Sequence, residues 1–154
     1  MRSINGNVLA VLALVAATAS GSVTYKEKVI APRHAYLVQG PDSVDPGKVI
    51  RRLILSPVDI AGEIRACTEM SCPEGRLMEG MTVDFGGGPR LNYWVVMNGQ
   101  RVQYSGTVRP EAFTARADDA RRLAGRLVFD DGKAGGPVVD VEFDAPLTRD
   151  FRAK

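Results

Sequence analysis

Two runs rich in aromatic and β-branched residues, 92–97 and 100–105, flank the dipeptide Asn98-Gly99. A two-residue hairpin turn needs positive φ at both central positions. Asn followed by Gly meets that need at low steric cost, so this dipeptide commits the middle of the chain to two antiparallel strands. In the two-residue register Met97 faces Gln100, Val95 faces Val102 and Tyr93 faces Tyr104. Cross-strand partners share a face, which assigns Tyr93, Val95, Met97, Val102 and Tyr104 to the core. The opposite face carries Trp94 and Val96 across from Gln103 and Arg101, and Trp94, Arg101 and Gln103 make up a candidate partner-binding patch.

The same grammar runs through the rest of the chain, as short alternating segments separated by Gly, Pro and Asp. Residues 23–31 and 33–38 read as an opening pair of strands, followed by turns at Gly40-Pro41-Asp42 and Asp45-Pro46-Gly47. Residues 48–55 are apolar on both faces, with Val49, Leu53 and Leu55 on one and Ile50 and Ile54 on the other, as in a strand covered on both sides. Residues 123–129 and 138–147 form a second hairpin. In it Val139, Val141, Phe143 and Ala145 point inward, Asp140, Glu142 and Asp144 point outward, and Pro146 marks the edge or end. Residues 111–120 fit a helical stripe of Phe113, Ala117, Ala120 and Ala124 but are read as a strand and turn. Ser56-Pro57-Val58-Asp59 announces a short helix with Ser56 as cap, and Ile60, Ile64 and Cys67 share its inner face. Seven to nine strands and one short helix predict a mostly β, single-domain antiparallel β-sandwich (immunoglobulin-like) or a small barrel.

The N-terminus carries a different signal. Arg2 precedes a small-apolar run over residues 8–17 that closes on Ala17-Thr18-Ala19. A charged start, an apolar core of about ten residues and an Ala-x-Ala exit describe a cleaved secretory signal peptide over residues 1–19, with the mature chain beginning at Ser20. The run falls short of the roughly 20 apolar residues a membrane-crossing helix needs, so no membrane span is expected after cleavage. No cysteine follows it, which argues against a lipid anchor. Residues 20–154 then form one β domain in a periplasmic or secreted protein.

Charge excludes one class of partner. The chain has 20 basic and 18 acidic residues, and Arg116, Arg121, Arg122 and Arg126 are interleaved with acids, so no basic stripe is available to neutralise phosphates. Nucleic acid is not an expected partner. Cys67 and Cys72, the only cysteines, form a local disulfide in an oxidising compartment. Four residues lie between them, two more than in a thioredoxin-like redox motif.

Catalytic signals are sparse. His34, the sole histidine, has no evident companions, and Ser71 and Ser105 lie outside any Gly-x-Ser-x-Gly elbow, so a hydrolase of unrecognised type is one alternative. Asp42, Asp45, Asp118, Asp119, Asp130 and Asp131 sit in or beside turns, where acids ordinarily serve turn chemistry rather than calcium. Residues 86–89 lack the lysine of a phosphate loop. A second alternative is copper binding, because soft thioethers favour Cu(I) and Met70, Met78 and Met81 could join His34 as ligands. The principal expectation is an exported protein without a cofactor that acts by non-covalent binding of another exported or envelope protein, as an inhibitor, an immunity protein or an envelope-associated module.

Overall fold

A computed structural model describes residues 16–99 and 101–152. Ten strands form one curled sheet resembling half a barrel: β1 Thr18–Tyr25, β2 Lys28–Ile30, β3 His34–Pro41, β4 Val49–Ser56, β5 Gly80–Phe85, β6 Leu91–Met97, β7 Arg101–Val108, β8 Phe113–Asp119, β9 Arg122–Asp130 and β10 Val138–Asp150. One short helix, α1 Ala61–Arg65, follows β4. The strands run in the order β2-β1-β10-β3-β4-β5-β6-β7, with β9 also paired to β10 and β8 paired to β9. The described residues are mostly β with one short helix, as the alternating segments predict.

Leu53 and Leu55 of β4, Met81 and Val83 of β5 and Tyr93 and Val95 of β6 project inward to meet Val23, Leu127, Val141 and Phe143. Each fully buried side chain of this size contributes about 2 kcal/mol of transfer free energy. The other face of β4 is covered too. Ile54 joins Tyr36, Val38 and Val96 beneath Ile60 and Ile64 of the α1 segment and Leu77. Strand β4 is therefore buried on both sides, as its two-sided apolarity requires.

Strand β10 joins the two halves of the sheet. It pairs antiparallel with β9 and with β1, then continues to Asp150 alongside β3 in a parallel pairing. That one parallel pair departs from the wholly antiparallel expectation. Pro146 does not end the strand. It falls after Asp144, the last partner of β1, and before Leu147, the first partner of β3, where no neighbour on that side needs its missing N–H.

Four further local expectations are corrected. Residues 23–31 are not one strand. Lys26 takes φ 54° in a tight turn, and Val23 folds back against Ile30, burying both. The helix begins at Ala61 rather than beside Ser56, because Ser56 completes β4 and its hydroxyl bonds Val58 in a local turn. Ile60 takes the cap position and makes no side-chain cap bond, while Asp59 before it accepts from the Ala61 N–H through Oδ1 at 3.0 Å. Among the described residues the strands number ten rather than seven to nine. The Asn98-Gly99 hairpin exists, but Met97 pairs with Arg101 and an irregularity follows at Val95/Val96, so Val96 faces Val102 and Val95 faces Tyr104. Val102 consequently stands 55% exposed on the outer face rather than in the core. Residues 113–119 form the strand preferred over the helical stripe.

Candidate functional site

The register of the outer sheet face builds a polar ladder where the apolar cover stops. Arg52 on β4 lies beside Asp84 on β5, which lies beside Asn92 on β6; in the next row Ile54, Thr82 and Trp94 are neighbours. The disulfide-tied loop between Cys67 and Cys72 and the one-turn 3-10 helix Pro73–Arg76 border this ladder on one side. The β3–β4 loop, with Asp42 and Ser43, borders it on another. Between them lie two adjoining hollows of about 300 and 440 Å³ that share Arg52, Glu74 and Trp94.

Arg52 is the central post. Its Nε and Nη2 donate to the two carboxylate oxygens of Asp84 at 2.7 and 2.9 Å, a bidentate pair that fixes both position and plane. Its Nη1 donates to the Met70 carbonyl at 3.2 Å and lies 3.2 Å from the Glu74 carboxylate. Burial works against the charged guanidinium, but the bonds and charge of Asp84, reinforced by Glu74 and Asp42, outweigh it and keep Arg52 ionised. The guanidinium sits 6.0 Å from the Trp94 ring centroid, within cation–π range. Burial pushes the Glu74 carboxyl upward and Asp84 adds to this, while Arg52 pulls it the other way.

The strap that carries Glu74 is held at several points. Cys67 is buried at the end of α1 and bonded to Cys72, and Met70 packs against the second core. The expected disulfide is present and fixes the segment that supplies two of the contacts to Arg52.

The residues singled out from sequence are dispersed. Trp94 is half-buried in the cleft. The side chain of Arg101 lies outside what is described, and Gln103 borders a separate hollow with Tyr25 and Met97 on the other side of the sheet edge. The pairing of Met97 with Arg101 at the turn, together with the irregularity at Val95/Val96, moves the partner of Trp94 from Gln103 to Ser105. The four copper candidates occupy different surroundings. Met81 is in the main core, Met70 lies against the second, Met78 is 58% exposed near Gly99, and His34 stacks on Tyr36 with ring centroids 6.4 Å apart. Among the described residues no three His, Cys, Asp or Glu side chains gather to hold a metal.

His34 and Asp59 line another hollow, which neither Ser71 nor Ser105 enters. There the Tyr36 hydroxyl donates to Asp59 Oδ1 at 2.7 Å and accepts from the Ile60 N–H at 2.9 Å. Burial and the bond to Asp59 push the Tyr36 hydroxyl upward, and that same bond draws the Asp59 carboxyl below its ordinary range. These contacts tie α1 to β3.

Sequence reasoning missed Arg52, Glu74 and Asp84. A signal existed, since Arg52 interrupts the Ile50–Ile54 face of a strand apolar on both sides and Asp84 interrupts the run 81–85. Two opposite charges in two such strands are expected to pair, because an isolated buried charge is too costly to keep. No family model, curated protein or solved structure matches this chain.

Proposed function

We propose that the chain is an exported binding protein that takes a macromolecular partner into the Arg52–Trp94 cleft, in the manner of an inhibitor, an immunity protein or an envelope accessory. The observation that supports this reading is the preorganised cleft itself: a half-exposed tryptophan beside an arginine held by several contacts to Asp84, Met70 and Glu74, under a disulfide-tied strap. Tryptophan and arginine dominate binding energy at protein interfaces, and side chains already held in place lose little entropy on association. All of the polar contacts of Arg52 are turned to neighbours within the fold, which suits a support for a binding surface better than a group that moves charge during a reaction.

The predicted export signal over residues 1–19 and the Cys67–Cys72 bond favour an oxidising, extracytoplasmic location. A cut after Ala19 falls inside β1 and leaves five of its seven pairs with β10, from Ser20 opposite Glu142 to Thr24 opposite Val138. No helix among the described residues is long and apolar enough to cross a membrane.

The test is site-specific photocrosslinking in the producing cell. A benzophenone side chain at Ser71, exposed on the cleft rim, is expected to give one discrete adduct. The same group at Val128, exposed on β9, is expected to give none. Equal adducts from both positions, or none from Ser71, would overturn the assignment of the cleft as the binding surface.

A further inference from the structure

We propose that the partner enters the cleft with a basic side chain, an arginine or lysine, whose stem lies along the Trp94 wall and whose charged head pairs with Glu74. This inference rests on the reading of the cleft as the binding surface and adds the chemistry of its occupant. Among the described residues, three carboxylates line or border the hollows, on Asp42, Glu74 and Asp84, against the cation Arg52. Arg52 is committed to Asp84 through two hydrogen bonds, and its Nη1 is shared between the Met70 carbonyl and Glu74. Among the described lining residues, acids therefore outnumber cations, and Asp84 alone takes the bidentate pair with Arg52.

Glu74 is the acid placed to meet the charged head. Its side chain is 43% exposed, and its ion pair with Arg52 uses a single oxygen at 3.2 Å. A carboxylate accepts about four hydrogen bonds, so Glu74 retains acceptor capacity on its open side. The wall beside it is apolar, formed by Trp94, buried Val96 and exposed Val102. Lysine and arginine are the side chains that combine a hydrocarbon stem with a cationic head, and a guanidinium also stacks on an indole face. An acidic side chain in the same place would meet three carboxylates and be rejected, which gives the cleft selectivity by repulsion as well as by attraction.

Trp94 is the only tryptophan in the chain, so its emission reports occupancy of the cleft directly. The experiment titrates the folded protein at low salt with a blocked tetra-arginine peptide and, separately, with a blocked tetra-glutamate peptide. A saturable change in emission with tetra-arginine and none with tetra-glutamate is expected. Affinity should fall about tenfold in Glu74→Gln, and also in Ser71→Lys, where a cation is added at an exposed rim position with no buried contact to lose. Equal responses to both peptides, or undiminished binding of tetra-arginine by both variants, would overturn the basic anchor. A response to tetra-glutamate alone, or to neither peptide, also overturns it. In each of these cases the Ser71 crosslink separately decides whether the cleft binds a partner at all.

Discussion

Arg52 holds both carboxylate oxygens of Asp84 while its guanidinium rests 6.0 Å from the centre of the Trp94 ring. The pair joins β4 to β5 across one register step, and the indole on β6 is positioned against it two strands from Arg52. The indole that lines the cleft thus lies beside an ion pair whose side chains are 13% and 9% exposed.

Asp84→Ala is expected to destabilise the fold by about 3 kcal/mol, because it leaves the Arg52 charge buried without its partner. The Trp94 emission spectrum of the native variant should shift as well. Replacing both residues, as Arg52→Met with Asp84→Leu, should recover most of the stability without restoring the spectrum. Urea denaturation followed by circular dichroism, with emission spectra of the native forms, separates these effects. A single variant as stable as the parent would show that the pair is not what holds this region.

Opening the disulfide should act locally. The loop it closes is short, with a sequence separation of 5, so the chain-entropy contribution is about 2 kcal/mol. In Cys67→Ser/Cys72→Ser, hydrogen exchange should accelerate over residues 66–77, where the strap and its 3-10 turn lie, and remain slow in β4 and β5. Uniform acceleration across the sheet would mean that the strap is integral to the core rather than a clamp on the cleft.

The pH response of Glu74 has a definite sign. Its folded carboxyl titrates above the ordinary value, chiefly through burial, so the folded state binds this proton more tightly than the unfolded chain does. The stability it contributes is present below the unfolded value of about 4.3 and is lost as pH rises through the folded value. Glu74→Gln should therefore match or exceed the parent in thermal midpoint at pH 7, and this advantage should close as the pH is brought to 4. A deficit of Glu74→Gln at pH 7 that vanishes at pH 4 would reverse the sign and show that the Arg52 attraction outweighs burial.

Two glycines should respond in opposite directions to alanine. Gly125 has φ +156° and a Cβ there would lie 2.1 Å from the Thr114 carbonyl oxygen on the paired strand, so Gly125→Ala should cost at least about 2 kcal/mol or prevent folding. Gly62 is exposed in α1 with nothing within 4 Å of an added Cβ, and Gly62→Ala should gain up to about 1 kcal/mol through helix propensity. Thermal melts of the two variants beside the parent read both effects.

Periodicity and turn chemistry are local properties, and what depends on them was legible before the fold was known. Alternation along residues 138–145 placed Val139, Val141, Phe143 and Ala145 inside, the two apolar faces of residues 48–55 marked a strand covered on both sides, and Cys67 and Cys72 were close enough in sequence to pair. The candidate site was less legible. Trp94 was visible as an aromatic on the outer face, but its predicted companions Arg101 and Gln103 rested on a two-residue register that the Met97–Arg101 pairing and the irregularity beyond it displaced. Arg52, Asp84 and Glu74 stand 10 to 32 positions apart in the chain and meet only because β4 and β5 align them and the disulfide strap folds back over both. The sequence by itself determined the mostly β class, the inward face of residues 138–145 and the turn at Asn98-Gly99, since those follow from the geometry of neighbouring residues; the turn at Lys26 and the outward placement of Val102 did not. Only the tertiary structure decided which outward-facing charges share a cleft, because strand register and the path of a connecting loop are set by packing between distant segments.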